Sequence, residues 1–371
     1  MDPVVTSPPE AVILGLLRQR GPLSRRELHE QSGLRPNTVG DAAGRLVRRG
    51  LLAEGEPVAA GPGRPGVPLT LDAARCTVVG LALQPGAVQG CRINLLGRRL
   101  GRTLDARTPE GTPVAEAAAD LLRRLVNPDA IAIGVTTPGL LDADTRHILF
   151  SSAVPHDRPA SAQPVFDAAG DLPLRFDNDM TALAVRWRMS QPAPPGEDVL
   201  LVHFRDGAVG ASLMIGGRPN PGCILGGNEL GQTRFPIGGE TLRLEEIFSS
   251  AFLRRTDEPE AEADARGLAE RAARCDPADT AMTRCLDLLA LGLANAVNFV
   301  RPHRLVLASD LTRHHRFHRA LCASMQRTVL PPLFARLRID PWEAPLPVGA
   351  EDAGWLALDL VFREPEAETR G

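Results

Sequence analysis

Val12, Ile13, Leu16 and Leu17 recur at helical spacing and predict a first helix near the start of the chain. Ser24 with Glu27 three residues on has the form of a capping box, opening a second helix that turns Leu28 inward. Gly33 then supplies a turn. Pro36 suits the first position of a third helix, because its missing N–H has no intrahelical partner there. In that third helix Val39, Ala42, Ala43, Leu46 and Val47 form an apolar stripe, and Arg35, Asn37, Thr38, Asp41, Arg45 and Arg48 share the other face. A short strand begins at Leu51 and Leu52, the run Gly61-Pro62-Gly63-Arg64-Pro65-Gly66 makes a tight turn, and residues 67–71 return. Beyond this, strands are predicted at 77–83, 89–95, 129–135 and 174–176. A second β-rich block at 199–204 and 211–215 precedes a long apolar helix at 286–299 and a strand at 304–308. Strands alternating with helices predict an α/β architecture, and two similar blocks predict two lobes with a cleft between them.

Composition adds a cored chain of two or three folding units, since 371 residues with 43% hydrophobic content exceed one small domain. The net charge of −3 argues against a general nucleic-acid binder, but the charge is uneven. Residues 18–50 hold eight arginines against Glu27, Glu30 and Asp41, the local excess that a phosphate backbone attracts. All 42 basic residues are Arg, which with the abundant Ala, Gly and Pro fits a GC-rich coding bias. Cys76, Cys91, Cys223, Cys275, Cys285 and Cys322 form no CxxC pair and are expected to be buried, reduced thiols. The apolar run at 11–17 is too short to span a membrane and has no charged front of a signal peptide, so a soluble, cytoplasmic protein with no membrane partner is expected.

The first 71 residues therefore predict a winged helix-turn-helix. Side chains near the start of the third helix reach base edges in the major groove in such units, which makes Arg35, Asn37, Thr38, Asp41 and Arg45 candidate DNA contacts. Arg64, braced by Pro and Gly at the wing tip, is the candidate for an adjacent minor groove.

The order of motifs resembles the ROK family (repressor, open reading frame, kinase), whose body is an actin-like, sugar-kinase-like fold and whose regulators carry a winged helix-turn-helix in front. The matches run along nearly the whole chain: Gly63-Arg64-Pro65, Gly134-Val135-Thr136-Thr137-Pro138-Gly139, Asn178-Asp179 followed by Thr181-Ala182-Leu183-Ala184, Gly227-Asn228-Glu229-Leu230-Gly231, Leu244-Glu245 and Ala350-Glu351-Asp352-Ala353-Gly354. The resemblance implies a head at 1–71 and a body at 72–371. Lobe one is about 72–180 plus 348–371, and lobe two about 181–347.

By that resemblance Asn178, Asp179, Glu229, Gln232 and Glu245 match positions that bind sugar hydroxyls, Gln232 standing where the family has His. Asp179 matches the family's general base and is read here as vestigial, so no catalytic residue is expected. The alternative for Asn178-Asp179 is a helix cap. The family's asparagine after Ser151-Ser152 is Ala153. Its phosphate loops are altered as well. Ala82 replaces the metal-phosphate Asp, Gln84-Pro85 replace glycines of the first loop, Asp206 places a carboxylate in the second, and Leu307-Ala308-Ser309 replaces the adenosine glycines. The family's structural zinc is not expected, since 233–243 hold no cysteine; Phe235, Pro236 and Ile237 are expected to fill its place. His314, His315 and His318 are expected to form a solvated helix face. No metal or cofactor is expected.

The resulting expectation is a DNA-binding transcriptional regulator, a repressor, whose non-catalytic body dimerises and senses a sugar or sugar phosphate. As a homodimer or homotetramer it would read a palindromic double-stranded operator. Two other readings stay open: an ATP-dependent sugar kinase with a regulatory DNA-binding head, and a ligand-independent regulator.

Overall fold

The computed structural model describes residues 6–57, 66–108, 113–142, 144–151, 159–191, 196–220, 228–256, 267–343 and 348–362. The chain divides into two compact units, Met1–Arg186 with Val348–Gly371, and Trp187–Pro347. The head predicted at 1–71 belongs to the first.

The head opens with α1 (Pro8–Arg20), in which Ile13, Leu14 and Leu17 are buried and Val12 and Leu16 half-buried. After β1 (Leu23–Ser24) comes α2 (Arg25–Ser32), closed at its start by the Ser24–Glu27 capping box and at its end by Gly33 at φ 70°. Both expectations hold, and for the stated reasons: the box satisfies two orphan N–H groups, and only glycine takes a left-handed cap without cost. Helix α3 (Pro36–Arg48) buries Val39, Ala42, Ala43 and Leu46. Strands β2 (Leu52–Glu54) and β3 (Pro68–Leu71) pair antiparallel, and β1 adds to β3. The tip of this wing, including Arg64, lies outside the described residues.

The rest of the first unit is built on β4 (Thr77–Gln84), β5 (Ala87–Asn94), β6 (Arg99–Arg107), β7 (Ala130–Thr137) and β11 (Leu174–Asn178), in the order β11-β7-β4-β5-β6. Helices α4 (Val114–Leu125) and α5 (Gln163–Ala169) cover one face, over Val79, Leu81, Val88, Ile133 and Val135. A small sheet of β8 (Leu140–Asp142), β9 (His147–Phe150) and β10 (Ala160–Ser161) lies between β7 and α5 in the chain. Helix α6 (Asp179–Ser190) follows β11 directly. The closing helix, Ala350–Phe362, takes the other face of the sheet. It sits down on two register partners, Gly80 and Gly134: a Cβ on either would lie 2.0 Å from the Ala350 carbonyl or 1.9 Å from that of Ala353.

The second unit repeats this sheet. Strands β12 (Val199–Arg205), β13 (Ala208–Ile215), β14 (Arg218–Pro219), β17 (Arg304–Ala308) and β18 (Arg338–Trp342) run in the order β14-β13-β12-β17-β18. As in the first sheet, the central hairpin is antiparallel, the two strands on one side of it run parallel, and the edge strand on the other side, β6 or β14, pairs antiparallel. A hairpin, β15 (Arg234–Ile237) with β16 (Glu240–Arg243), leads into α7 (Leu244–Ile247) and α8 (Ser250–Thr256). Helices α9 (Leu268–Arg274), α10 (Thr280–Val300), α11 (His315–Thr328) and α12 (Pro331–Phe334) complete the unit. Among the described residues α10 is the one helix long and apolar enough to cross a membrane, yet Cys285, Leu289, Leu293 and Val297 pack it into this unit's core. Of the cysteines, Cys76, Cys91 and Cys285 are buried, Cys275 and Cys322 only half-buried, and Cys223 lies outside the described residues.

Candidate functional site: nucleic-acid interface and acidic corner

The buried stripe of α3 fixes which of its residues point away from the head. Arg35, Asn37, Asp41 and Arg45 are exposed and Thr38 is half-buried. Arg45 has a partner that its sequence neighbourhood does not suggest. Glu10, in the first turn of α1, is only 3% exposed. Its carboxylate accepts from Arg45 Nε at 2.7 Å, from Arg49 at 3.3 Å and from the Ser7 backbone N–H at 2.9 Å. Burial alone would raise the Glu10 pKa; the Arg45 hydrogen bond, then Ser7 and the two guanidinium charges, outweigh it and hold the carboxyl below its ordinary range.

The head is joined to the body of its unit through the other end of α1. Arg18 donates to the Leu95 carbonyl at 2.9 Å and lies 4.5 Å over the Trp355 ring of the closing helix. Arg186 of α6 approaches the same ring at 5.9 Å and pairs with buried Asp352 at 2.9 Å. Thr6 donates to the Val361 carbonyl, and the Cys76 thiol to that of Gly50.

Asn178 and Asp179 stand where β11 becomes α6, Asp179 being the first residue of the helix. Asn178 is buried and bonded at both ends of its amide: its Oδ1 accepts from the Met180 N–H at 2.7 Å and its Nδ2 donates to the Gly139 carbonyl at 2.6 Å. The first bond caps α6, and the second ties down the Thr137-Pro138-Gly139 loop.

Glu229, Gln232 and Glu245 belong to the second unit, where the last two meet. Gln232 Nε2 donates to Glu245 Oε1 at 3.1 Å, and Arg243 reaches both Glu245 at 2.8 Å and the Gln232 amide oxygen at 3.3 Å. Arg243, not singled out from the sequence, thus spends part of the charge of Glu245. Glu229 keeps much of its surface accessible, yet its protein surroundings and then the Glu245 carboxylate raise its pKa.

The positions aligned with phosphate loops are tight two-residue turns. Gln84 pairs with Ala87 across Pro85-Gly86, and Arg205 with Ala208 across Asp206-Gly207; the glycines share φ values of 71° and 72°. Such turns leave few free N–H groups, and Pro85 removes one more. Side chains there are turned inward as well. Gln84 donates to the Val348 carbonyl at 3.1 Å. Asp206 accepts from the Ser250 backbone N–H at 2.7 Å and from the Ser250 hydroxyl. Ser309 is fully buried and caps the short turn that follows β17.

In the loop after Gln232, Phe235 enters the core and Gly238-Gly239 turn the hairpin at φ 60° and 86°. Pro236, expected to pack beside it, is exposed, because alternate residues of a strand face opposite ways. Among the described residues no three His, Cys, Asp or Glu side chains are grouped to hold a metal ion. On α11, His315 and Arg319 contact each other, and His318 lies 3.7 Å from the Cys322 thiol.

A family model described as ROK family matches residues 107–343. The chain is 30% identical over 223 residues to the transcriptional regulator Rv0485 of Mycobacterium tuberculosis, covering 56% of this chain and 49% of that protein. To the DNA-binding transcriptional dual regulator NagC of Escherichia coli it is 26% identical over 223 residues, 56% of this chain and 52% of that one. It spans about half the length of the curated relatives it matches. Among solved structures, a ROK family transcriptional regulator described as a homolog of the E. coli MLC protein superposes with a TM-score of 0.75 at 20% identity, over 95% of this chain and 96% of that one. That likeness extends through the head and both sheets.

Proposed function

The chain belongs to the ROK family, and from that premise we propose that it is a DNA-binding transcriptional regulator, a repressor, whose body is a kinase fold without kinase activity. The observation that carries this reading is α3, with its apolar stripe buried and Arg35, Asn37, Asp41 and Arg45 open to solvent. Residues 1–71 act as the head, Thr38 and Arg64 joining those four as DNA contacts. A homodimer or homotetramer places two heads on a palindromic operator, in the cytoplasm.

Loss of phosphoryl transfer is supported by the two tight turns and by Asp206, whose carboxylate is held where a nucleotide phosphate would need donors. Asp179 then remains as a vestigial base without a phosphate to act on. Asn178 and Asp179 of the first unit, and Glu229, Gln232 and Glu245 of the second, are the residues assigned to a sugar or sugar derivative as effector.

The test is selection of an operator from random duplexes, followed by gel-shift titration. Asn37→Ala should weaken the selected site about 10- to 100-fold, the range of one good base contact; unchanged affinity would remove α3 from the interface. Calorimetry with ATP and magnesium should show no heat, and hexose-dependent turnover would restore the kinase reading. In thermal denaturation with a sugar panel, a true effector at 100 times its dissociation constant should add about 2.7 kcal/mol. A flat panel favours the ligand-independent regulator, a reading supported by how fully Asn178 and Gln232 are already bonded.

A further inference from the structure

We propose that Glu10 is a positioning residue for DNA: it grips Arg45 by Nε from beneath α3, so that the outer edge of that guanidinium, with Arg49, clamps one backbone phosphate. The inference rests on the regulator reading and names how one part of that interface is built.

A glutamate at the third position of a helix ordinarily caps its own first turn from solvent. Glu10 does cap α1, through the Ser7 N–H, but it does so with a side chain almost wholly buried. A buried carboxylate is stable only when its lone pairs are filled, and here the filling comes from two arginines of another helix. Two cations on one anion leave a net positive charge at this spot.

The way Arg45 is held decides where that charge points. Nε donates to Glu10 Oε1 at 2.7 Å, whereas NH1 and NH2 make no hydrogen bond among the described residues, and the side chain is 45% exposed. One edge of the guanidinium is spent and the opposite fork is open, fixed in direction without loss of charge. That fork matches two oxygens of a phosphodiester. Arg49, one turn further along, gives NH1 to Glu10 at 3.3 Å, while its buried NH2 has no partner. That nitrogen is closed to solvent, so Arg49 contributes its positive charge beside the Arg45 fork rather than a hydrogen bond to the phosphate. Arg45 and Arg49 lie toward the far end of α3 from Asn37, where backbone contact rather than base readout is the ordinary geometry.

The experiment uses the full chain and measures duplex affinity across a salt series, on the selected operator and on a random duplex of equal length. Arg45→Ala should weaken both duplexes by about the same factor and reduce the slope of log affinity against log salt by about one. Arg45→Lys keeps the charge, but a lone ammonium paired with Glu10 has no second edge to present to a phosphate, so it should retain the slope and still bind both duplexes several-fold more weakly. Glu10→Gln preserves an acceptor for the Ser7 N–H and removes the grip, and it should weaken both duplexes while operator preference stays constant. Melting curves accompany each variant. Arg45→Lys leaves Glu10 paired with Arg49 and Ser7, so it serves as the test even where Glu10→Gln fails to fold. Full affinity in Arg45→Lys overturns the clamp, and so does an Arg45→Ala that changes operator preference instead of weakening both duplexes alike. If the unaltered protein binds no duplex at any salt, the regulator reading itself fails, and the clamp falls with it.

Discussion

Helix α3 and the acidic corner are made from the same palette of Arg, Asn, Asp and Glu, but they use it in opposite ways. On α3 the polar groups are held out and left open: Asn37 and Asp41 face solvent, and even Arg45, tethered to Glu10, keeps two donors outward. In the body the corresponding groups are turned back into the protein. Asn178 serves Met180 and Gly139, Gln232 and Glu245 serve each other and Arg243, and Asp206 serves Ser250. Polar groups already satisfied inside a fold give little new energy to a ligand, because any bond they offer must first be broken elsewhere. Unspent polar groups are therefore concentrated on α3, while the polar groups of the body named above are largely paired within the protein.

The largest expected effect contrasts the same substitution in the two regions. Gly134→Ala places a methyl 1.9 Å from the Ala353 carbonyl, against backbone that cannot swing aside. It should cost on the order of 3 kcal/mol or more, and a urea melt showing native stability would mean the closing helix is not seated as described.

An intermediate effect tests an exception to the satisfied body. His203, 6% exposed on β12, has a buried Nε2 without a partner, and burial, aided by the Arg205 charge and opposed by Asp310, lowers its pKa to about 4. The unfolded chain binds that proton near pH 6.5, so between these values the unfolded state is the more protonated. Stability is full above the unfolded value and falls as the pH drops toward 4, by on the order of 3 kcal/mol from this one group. His203→Leu should lose less stability than the unaltered chain between pH 7 and pH 4.5. Equal losses in the two proteins would show that His203 does not titrate as its burial implies.

The smallest effect completes the contrast. Gly40 lies within α3 with nothing inside 4 Å of where a Cβ would stand. Gly40→Ala should therefore raise stability, by up to about 1 kcal/mol, through helix propensity alone. A lowered melting temperature would show that this face of α3 is covered.

The head was largely legible in the sequence because its signals are local: the Ser24–Glu27 box, Gly33, Pro36 and a stripe at helical spacing each act within a few residues. The sheets were legible where apolar runs are dense, as in β4 and β7. Strand β6 was missed, since an edge strand with Arg99, Arg102 and Arg107 on display carries no alternation to detect. Glu10 was missed for a different reason. Its partners lie 35 and 39 residues away, and no local pattern separates a buried capping glutamate from an exposed one. Arg243 was passed over because it stands one residue outside the motif that drew attention to Glu245. Distance in the chain, rather than weakness of the interaction, hid the residues that organise both sites.

The stacking of Arg18 on Trp355 bears on how such a protein can be divided or recombined. An aromatic ring in the last described helix is covered by a cation from the first, and Gly97, at φ 77°, leaves room for the ring where any side chain would collide. A cut after residue 71 would not release two finished modules. It would bare the indole and the Leu95 carbonyl of one piece, and leave the other with an arginine that has lost its seat. Exchanging residues 1–71 between such chains would thus require the seam to travel with them: the incoming first helix must bring an arginine at the position of Arg18, or the recipient must give up its tryptophan.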